Sequence, residues 1–159
     1  MQVIDSTLFR VLIERARHSP RLRANHNFHS SMEENPHRFL NVMIQGTFIA
    51  PHRHIDPPKS ETFVVLEGKL AFFTFDDAGQ IANTFVLGRD AIGVDVQPDV
   101  WHTIAVLTPH VVCFEVKPGP YAAATDKDFA PWAPREGDPR AGEYLDMLVS
   151  TVGGPDRQG

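Results

Sequence analysis

Between residues 38 and 117 the apolar side chains recur at every second position, in short runs separated by turn residues. In Arg38-Phe39-Leu40-Asn41-Val42-Met43-Ile44 the even positions after Arg38 are apolar. Period two is the signature of a half-buried strand, because successive side chains point to opposite faces. Further strands read at 48–54, 61–66, 69–75, 82–87, 91–96, 102–107 and 111–117. Glu67-Gly68, Asp76-Asp77-Ala78-Gly79 and Pro98-Asp99 supply turn chemistry between them. A series of short strands at this spacing predicts an all-β sandwich or barrel.

Helices flank the strands. Leu8, Val11, Leu12 and Ala16 fall at helical spacing, broadened by Phe9 and Ile13, and predict a helix over 6–18. Asp5 or Ser6 can cap it, and Pro20 forbids its continuation. Residues 21–37 show no clear period and read as irregular. After Lys117 the prolines at 118, 120, 131 and 134 mark an irregular arm. Asp138-Pro139 reads as the start of a second helix, with Ala141, Tyr144, Leu145, Leu148 and Val149 as its apolar face. The 159 residues thus predict one domain over 1–152: helix 6–18, barrel 38–117, arm and helix 118–150, then a flexible tail at 153–159.

The formal net charge is -5 and no basic stripe is present, so nucleic acid is not an expected partner. The arginines at 10, 15, 17, 21 and 23 read as a solvated helix face. No basic start leads into an apolar run, and no stretch approaches the ~18 apolar residues that would span a membrane. The expected location is the cytoplasm. Cys113 sits in Val111-Val112-Cys113-Phe114 and reads as a buried strand residue.

Three of the eight histidines stand in a chemical setting. His52 and His54 are two apart on a predicted strand, so both imidazoles face one side. Glu61 begins the next strand, and His102 begins a later one. A barrel can bring these strand starts together around one cavity. Three imidazole nitrogens and one carboxylate suit one divalent ion such as iron, nickel, zinc, manganese or copper, and suit calcium or magnesium poorly. A six-coordinate ion so held keeps positions for water or substrate.

The same residues carry a resemblance. Gly46, five residues, His52-Arg53-His54, six residues, Glu61, six residues, Gly68 resembles the first motif of the cupins, G-x5-H-x-H-x3–4-E-x6-G. One spacer, 55–60, is longer than in the family pattern. The second motif, G-x5-P-x-G-x2-H-x3-N, aligns on His102 alone: Gln97 stands for proline, Asp99 for glycine and Val106 for asparagine. Ser19-Pro20-Arg21, Pro51-His52-Arg53-His54, Val100-Trp101-His102, Gly119-Pro120-Tyr121 and Phe129-Ala130-Pro131-Trp132-Ala133-Pro134 are similar to the WbuC-type cupins found among bacterial O-antigen and surface-polysaccharide genes. The resemblance implies a double-stranded β-helix barrel, or jelly roll, around a metal ion. The long spacer leaves Asp56 as a competitor of Glu61 for the carboxylate. Glu61 keeps the family's distance to Gly68.

Arg38, with the parity of Leu40, Val42 and Ile44, and Tyr121 on the arm are candidate substrate-binding residues. Val42, Ile44, Val65 and Ile104 read as the cavity floor, and Glu115 as outside the barrel. The histidines at 18, 26, 29, 37 and 110 read as ordinary surface or hydrogen-bonding groups. Two accounts of function follow. One is a metal-dependent isomerase, epimerase or oxygenase acting on a sugar or sugar nucleotide. The other is a module that binds a small molecule or metal without catalysis. Open sheet edges also predict a homodimer.

Overall fold

The computed structural model describes residues 1–153. Its elements are α1 (Ser6–Arg17), β1 (Arg23–Asn27), β2 (His37–Ile44), β3 (His52–Arg53), β4 (Glu61–Glu67), β5 (Leu70–Phe75), β6 (Ile81–Leu87), β7 (Gly93–Val96), β8 (Trp101–Val106), β9 (His110–Lys117), β10 (Asp128–Phe129) and α2 (Ala141–Thr151). They form two antiparallel five-stranded sheets, β1-β2-β9-β4-β7 and β10-β3-β8-β5-β6. The result is an all-β jelly roll whose two sheets are not closed into a continuous barrel.

Three apolar clusters make four layers. Between the sheets lie Met43, Phe63, Val96, Val111 and Cys113 from the first and Leu70, Phe72, Leu87, Ile104 and Val106 from the second. On the outer face of the first sheet, Leu12, Ile13 and Ala16 of α1 cover Leu40, Val42 and Val112. On the outer face of the second, Leu145 and Leu148 of α2 cover Ala71, Phe73, Phe75 and Ala105. Both sheets therefore bury both faces over much of their area, and apolar parity alone does not mark the interior.

That double burial corrects part of the expected inside. Leu40 and Val42 lie under α1, and Ile44 packs beside them. The residues of β2 that face the other sheet are the odd ones, with Met43 in the inter-sheet core. On β9 the inward set is Val111 and Cys113, and Glu115 continues that parity into the interior, 4% exposed. The expectation that Glu115 lies outside took the helix-facing residues for the interior ones.

Local chemistry accounts for the element ends. The Asp5 carboxylate accepts from the Leu8 amide at 2.9 Å and caps α1. Residues 23–27, expected to be irregular, form β1 by pairing with β2, from Arg23 opposite Met43 to Asn27 opposite Phe39. The run 48–54 yields only His52–Arg53 as strand, because Phe48 and Ala50 pack into the outer cluster beside α2. Asp138 does not cap α2. Its carboxylate accepts from the Arg140 amide at 2.9 Å, and the helix starts one residue later without a side-chain cap. Of the tail expected at 153–159, Gly153 is a turn residue and the remainder lies outside the described residues.

Candidate metal centre

His52 on β3 stands opposite His102 on β8 in register, so the sheet itself sets the two imidazoles side by side. His54 follows two residues after His52. Glu61 opens β4 on the facing sheet. His52, His54, Glu61 and His102 are 4%, 3%, 3% and 2% exposed. One donor atom from each lies within 4.8 Å of all the others. His54 Nε2 and His102 Nε2 each lie 3.4 Å from Glu61 Oε2. Asp56 is exposed in the turn after His54 and takes no part in this cluster.

The remaining ring nitrogens fix the direction of the lone pairs. His52 Nδ1 donates to the Ala50 carbonyl at 3.0 Å and His102 Nδ1 to the Val100 carbonyl at 2.8 Å. His54 Nδ1 donates to the Asp126 carbonyl. A carbonyl only accepts, so each Nδ1 carries the hydrogen and each Nε2 presents its lone pair. His54 Nε2 and His102 Nε2 are buried without a hydrogen-bond partner. Buried acceptors so aligned fit a cation, and three imidazoles with one carboxylate fit a borderline divalent metal. The four residues can hold one.

Turn geometry supports the cluster. Gly68 has φ +83, and a Cβ there would meet the His110 carbonyl at 2.3 Å, so the β4–β5 turn admits only glycine. Asp99 takes the left-handed conformation, φ 68, three residues before His102. Aspartate is among the few residues that tolerate it. Its carboxylate also accepts from Arg53 Nη1 at 2.8 Å.

The electrostatics suit a neutral His52 beside the Glu61 carboxylate. Burial, then the charge of Lys127, holds His52 well below the ordinary histidine range, so it is neutral at pH 7. Burial opposes ionisation of Glu61, and the Lys117 ammonium 3.5 Å away favours it. Burial, reinforced by the Glu61 charge, pushes the neighbouring Glu115 carboxyl well above it. Asn41 Nδ2 donates to Glu115 Oε2 at 3.0 Å. Around this core, Asp126 accepts from Lys59 Nζ at 3.3 Å and from Lys117 Nζ at 3.1 Å. One arm residue thus fixes two buried lysines and one imidazole.

The cluster opens outward. A recess of about 30 Å³ touches His52, Glu61 and His102 and is walled by Met43, Phe63 and Ile104. Beside it lies a cavity of about 490 Å³. Asn41, Ile49, Glu115 and Lys127 line both. Ile104 belongs to the floor as expected, whereas Val42 and Ile44 do not. Tyr121 lies at the cavity wall, 40% exposed, with Lys117 Nζ 5.9 Å from its ring centroid. Arg38 is directed elsewhere: its guanidinium is paired with Glu34 at 2.9 Å, on the α1 side of β2. His29 and His37, read as surface or hydrogen-bonding groups, bond to the Arg38 and Met32 backbone and are buried in the cavity wall with their rings stacked at 4.1 Å. Lys117, Asp126 and Lys127 had no motif to announce them. The charged alternation Glu115-Val116-Lys117 at the end of an apolar strand was the one available signal.

The profile of a family described as a domain of unknown function, DUF6016, matches residues 4–87. The chain belongs to the DUF6016 family. The matched part of this DUF6016 protein carries His52, His54 and Glu61, while His102 and the arm lie beyond it. No curated protein matches the chain. Among solved structures it is similar to the capsular polysaccharide assembling protein CapF from Staphylococcus aureus, with 19% identity and a TM-score of 0.55 over 66% of this chain. It spans only 28% of that protein's length. It is also similar to TT1209 from Thermus thermophilus (16% identity, TM-score 0.54, covering 74% of this chain and 97% of that one). A third similar structure is KdgF from Halomonas sp. (11% identity, TM-score 0.52, covering 67% and 86%). At these identities the likeness is one of fold, and the fold is that of the cupins.

Proposed function

We propose that this chain is a cytoplasmic, WbuC-type cupin that binds one divalent metal ion, iron, nickel, zinc or manganese, through His52, His54, Glu61 and His102. In this reading it acts as a metal-dependent enzyme on a small, oxygen-rich, sugar-type substrate in bacterial surface-polysaccharide metabolism. The observation that carries the reading is the convergence of three Nε2 lone pairs and one carboxylate beside a small recess that shares part of its lining with a larger cavity. The CapF likeness supports the polysaccharide setting, since that protein is described as assembling capsular polysaccharide.

A metal ion held there would supply a Lewis acid that polarises a substrate oxygen. The chain's own residues do the rest. The backbone carbonyls of Ala50, Val100 and Asp126 orient the imidazoles. Met43, Phe63 and Ile104 keep the recess apolar, which strengthens electrostatic interactions within it. Glu115, whose carboxyl burial beside Glu61 pushes well above the usual range, can hold a proton next to the bound substrate. No helix among the described residues is long and apolar enough to cross a membrane. The reading includes a homodimer, because β1, β7, β6 and β10 are sheet edges. Light scattering should give twice the 17.8 kDa chain mass.

Elemental analysis tests the reading. Protein purified without chelators should carry about one divalent ion per chain, and His52→Ala and His102→Ala should lose it. Wild-type protein that carries no metal and takes up none of iron, nickel, zinc or manganese would refute it.

A further inference from the structure

The charges around the 490 Å³ cavity do not cancel. Glu136 receives two arginines, Arg21 at 2.6 Å and Arg23 at 2.7 Å. Asp126 receives two lysines, Lys59 and Lys117. Lys127, which lines both the cavity and the recess at the metal cluster, makes no hydrogen bond or ion pair with any described residue. Five cationic side chains thus face Glu61, Glu115, Asp126 and Glu136. The surplus is positive whatever the protonation of Glu115, and a divalent ion on the cluster adds to it. This positive region lies inside a chain whose formal net charge is -5. A lysine without a partner in a partly enclosed cavity is compensated by an incoming anion.

Two further groups lack partners at the same place. Asn41 gives its Nδ2 to Glu115 and leaves Oδ1 buried without a hydrogen bond. His29 Nε2, in the cavity wall, is likewise buried and unpaired. An amide oxygen accepts only, so Asn41 Oδ1 calls for a hydroxyl or amine on the ligand. A cavity of this size takes a ligand of monosaccharide size or somewhat larger.

Building on the metal-cupin reading, we infer that the ligand of this centre is a polyhydroxylated anion: Lys127 holds its carboxylate or phosphate beside the metal cluster, and Asn41 Oδ1 accepts from one of its hydroxyls. Neutral sugars leave Lys127 without a direct ion-pair partner and are discriminated against for that reason. The inference adds Lys127, Asn41 and His29 to the binding residues and makes charge the main element of selectivity.

Calorimetric titration of the zinc-loaded full chain with D-glucuronate, D-glucose 6-phosphate, D-glucose and inorganic phosphate tests it, with ion content measured on each sample. At least one anionic sugar should bind about tenfold or more tighter than glucose, the scale of a charge-assisted hydrogen bond. Which of the two it is tells carboxylate from phosphate. Lys127→Gln should abolish the preference with ion content unchanged, and Lys127→Arg should keep most of it. Asn41→Ala should weaken the anionic sugar and leave inorganic phosphate unaffected. Equal binding of glucose, no binding of either anionic sugar, or an undiminished preference in Lys127→Gln overturns the inference alone. A wild type that takes up no ion overturns the metal reading and this inference with it.

Discussion

At one end of the space between the sheets, Leu70, Phe72, Ile104, Val106, Val111 and Cys113 form a buried apolar core. At the other end the same strands present different chemistry. β8 passes from Val106 and Ile104 to His102, and β9 passes from Val111 and Cys113 to Glu115 and Lys117. β2 passes from Met43 to Asn41 and His37. The parity of each strand is unchanged along the way. Alternation therefore decides which face a residue takes, and position along the strand decides whether that face is a core or a site. The apolar end is stabilised by burial. The polar end is equally buried, and its charges are tolerated because most are paired: Asp126 with two lysines, Glu61 with Lys117 Nζ at 3.5 Å.

Mutations at the two ends can break or sharpen that contrast. The largest expected effect is at the apolar end. Phe72→Ala should lower the unfolding free energy by about 3–5 kcal/mol in urea titrations, as for large core truncations. A loss below about 1 kcal/mol would show that this end is loosely packed. At the polar end, Asp126→Ala leaves Lys59 and Lys117 short of one buried acid. Its expected cost is about 3 kcal/mol, at the low end for a broken buried pair, because Lys117 keeps Glu61. If Asp126→Ala proved neutral, the polar end would be wetter than its 4% and 8% exposed lysines indicate.

A smaller effect is expected from pH. The folded-state value of Glu115 lies well above the ordinary 4.5. Its contribution to stability is then complete below pH 4.5 and is lost as pH rises through the folded value. Glu115→Gln cannot ionise. In chelator-treated protein its melting temperature should gain on the wild type as pH rises above 4.5. Parallel curves would place the Glu115 carboxyl in solvent. The smallest effect belongs to Asp99→Gly. Relief of the left-handed backbone and loss of the exposed contact with Arg53 oppose each other, so stability should change by less than about 1 kcal/mol, with ion content unaltered.

The sequence carried the strands and the four clustered donors for one reason: both are written in local spacing. His52 and His54 share a face because they are two apart, and Gly46 and Gly68 stand where the turns require positive φ, at 91 and 83. The cavity wall was not legible in that way. β1 has little apolar pattern of its own and becomes a strand only by pairing with β2. Leu40 and Val42 carry the parity of an interior face, but α1 covers them, so parity alone puts Arg38 inside and Glu115 outside. Asp126 and Lys127 reach the centre from an irregular arm. That arm is held by long-range contacts such as Arg53 Nε to Asp128 at 2.8 Å, which no periodicity encodes.

X-ray absorption spectroscopy of the metal-loaded protein, at the edge of whichever ion it binds, tests the metal centre most directly. The account predicts a first shell with about three imidazoles and further oxygen ligands, reduced by about one imidazole or emptied in His102→Ala. A shell of oxygen ligands alone, or a spectrum unchanged by His102→Ala, would contradict it.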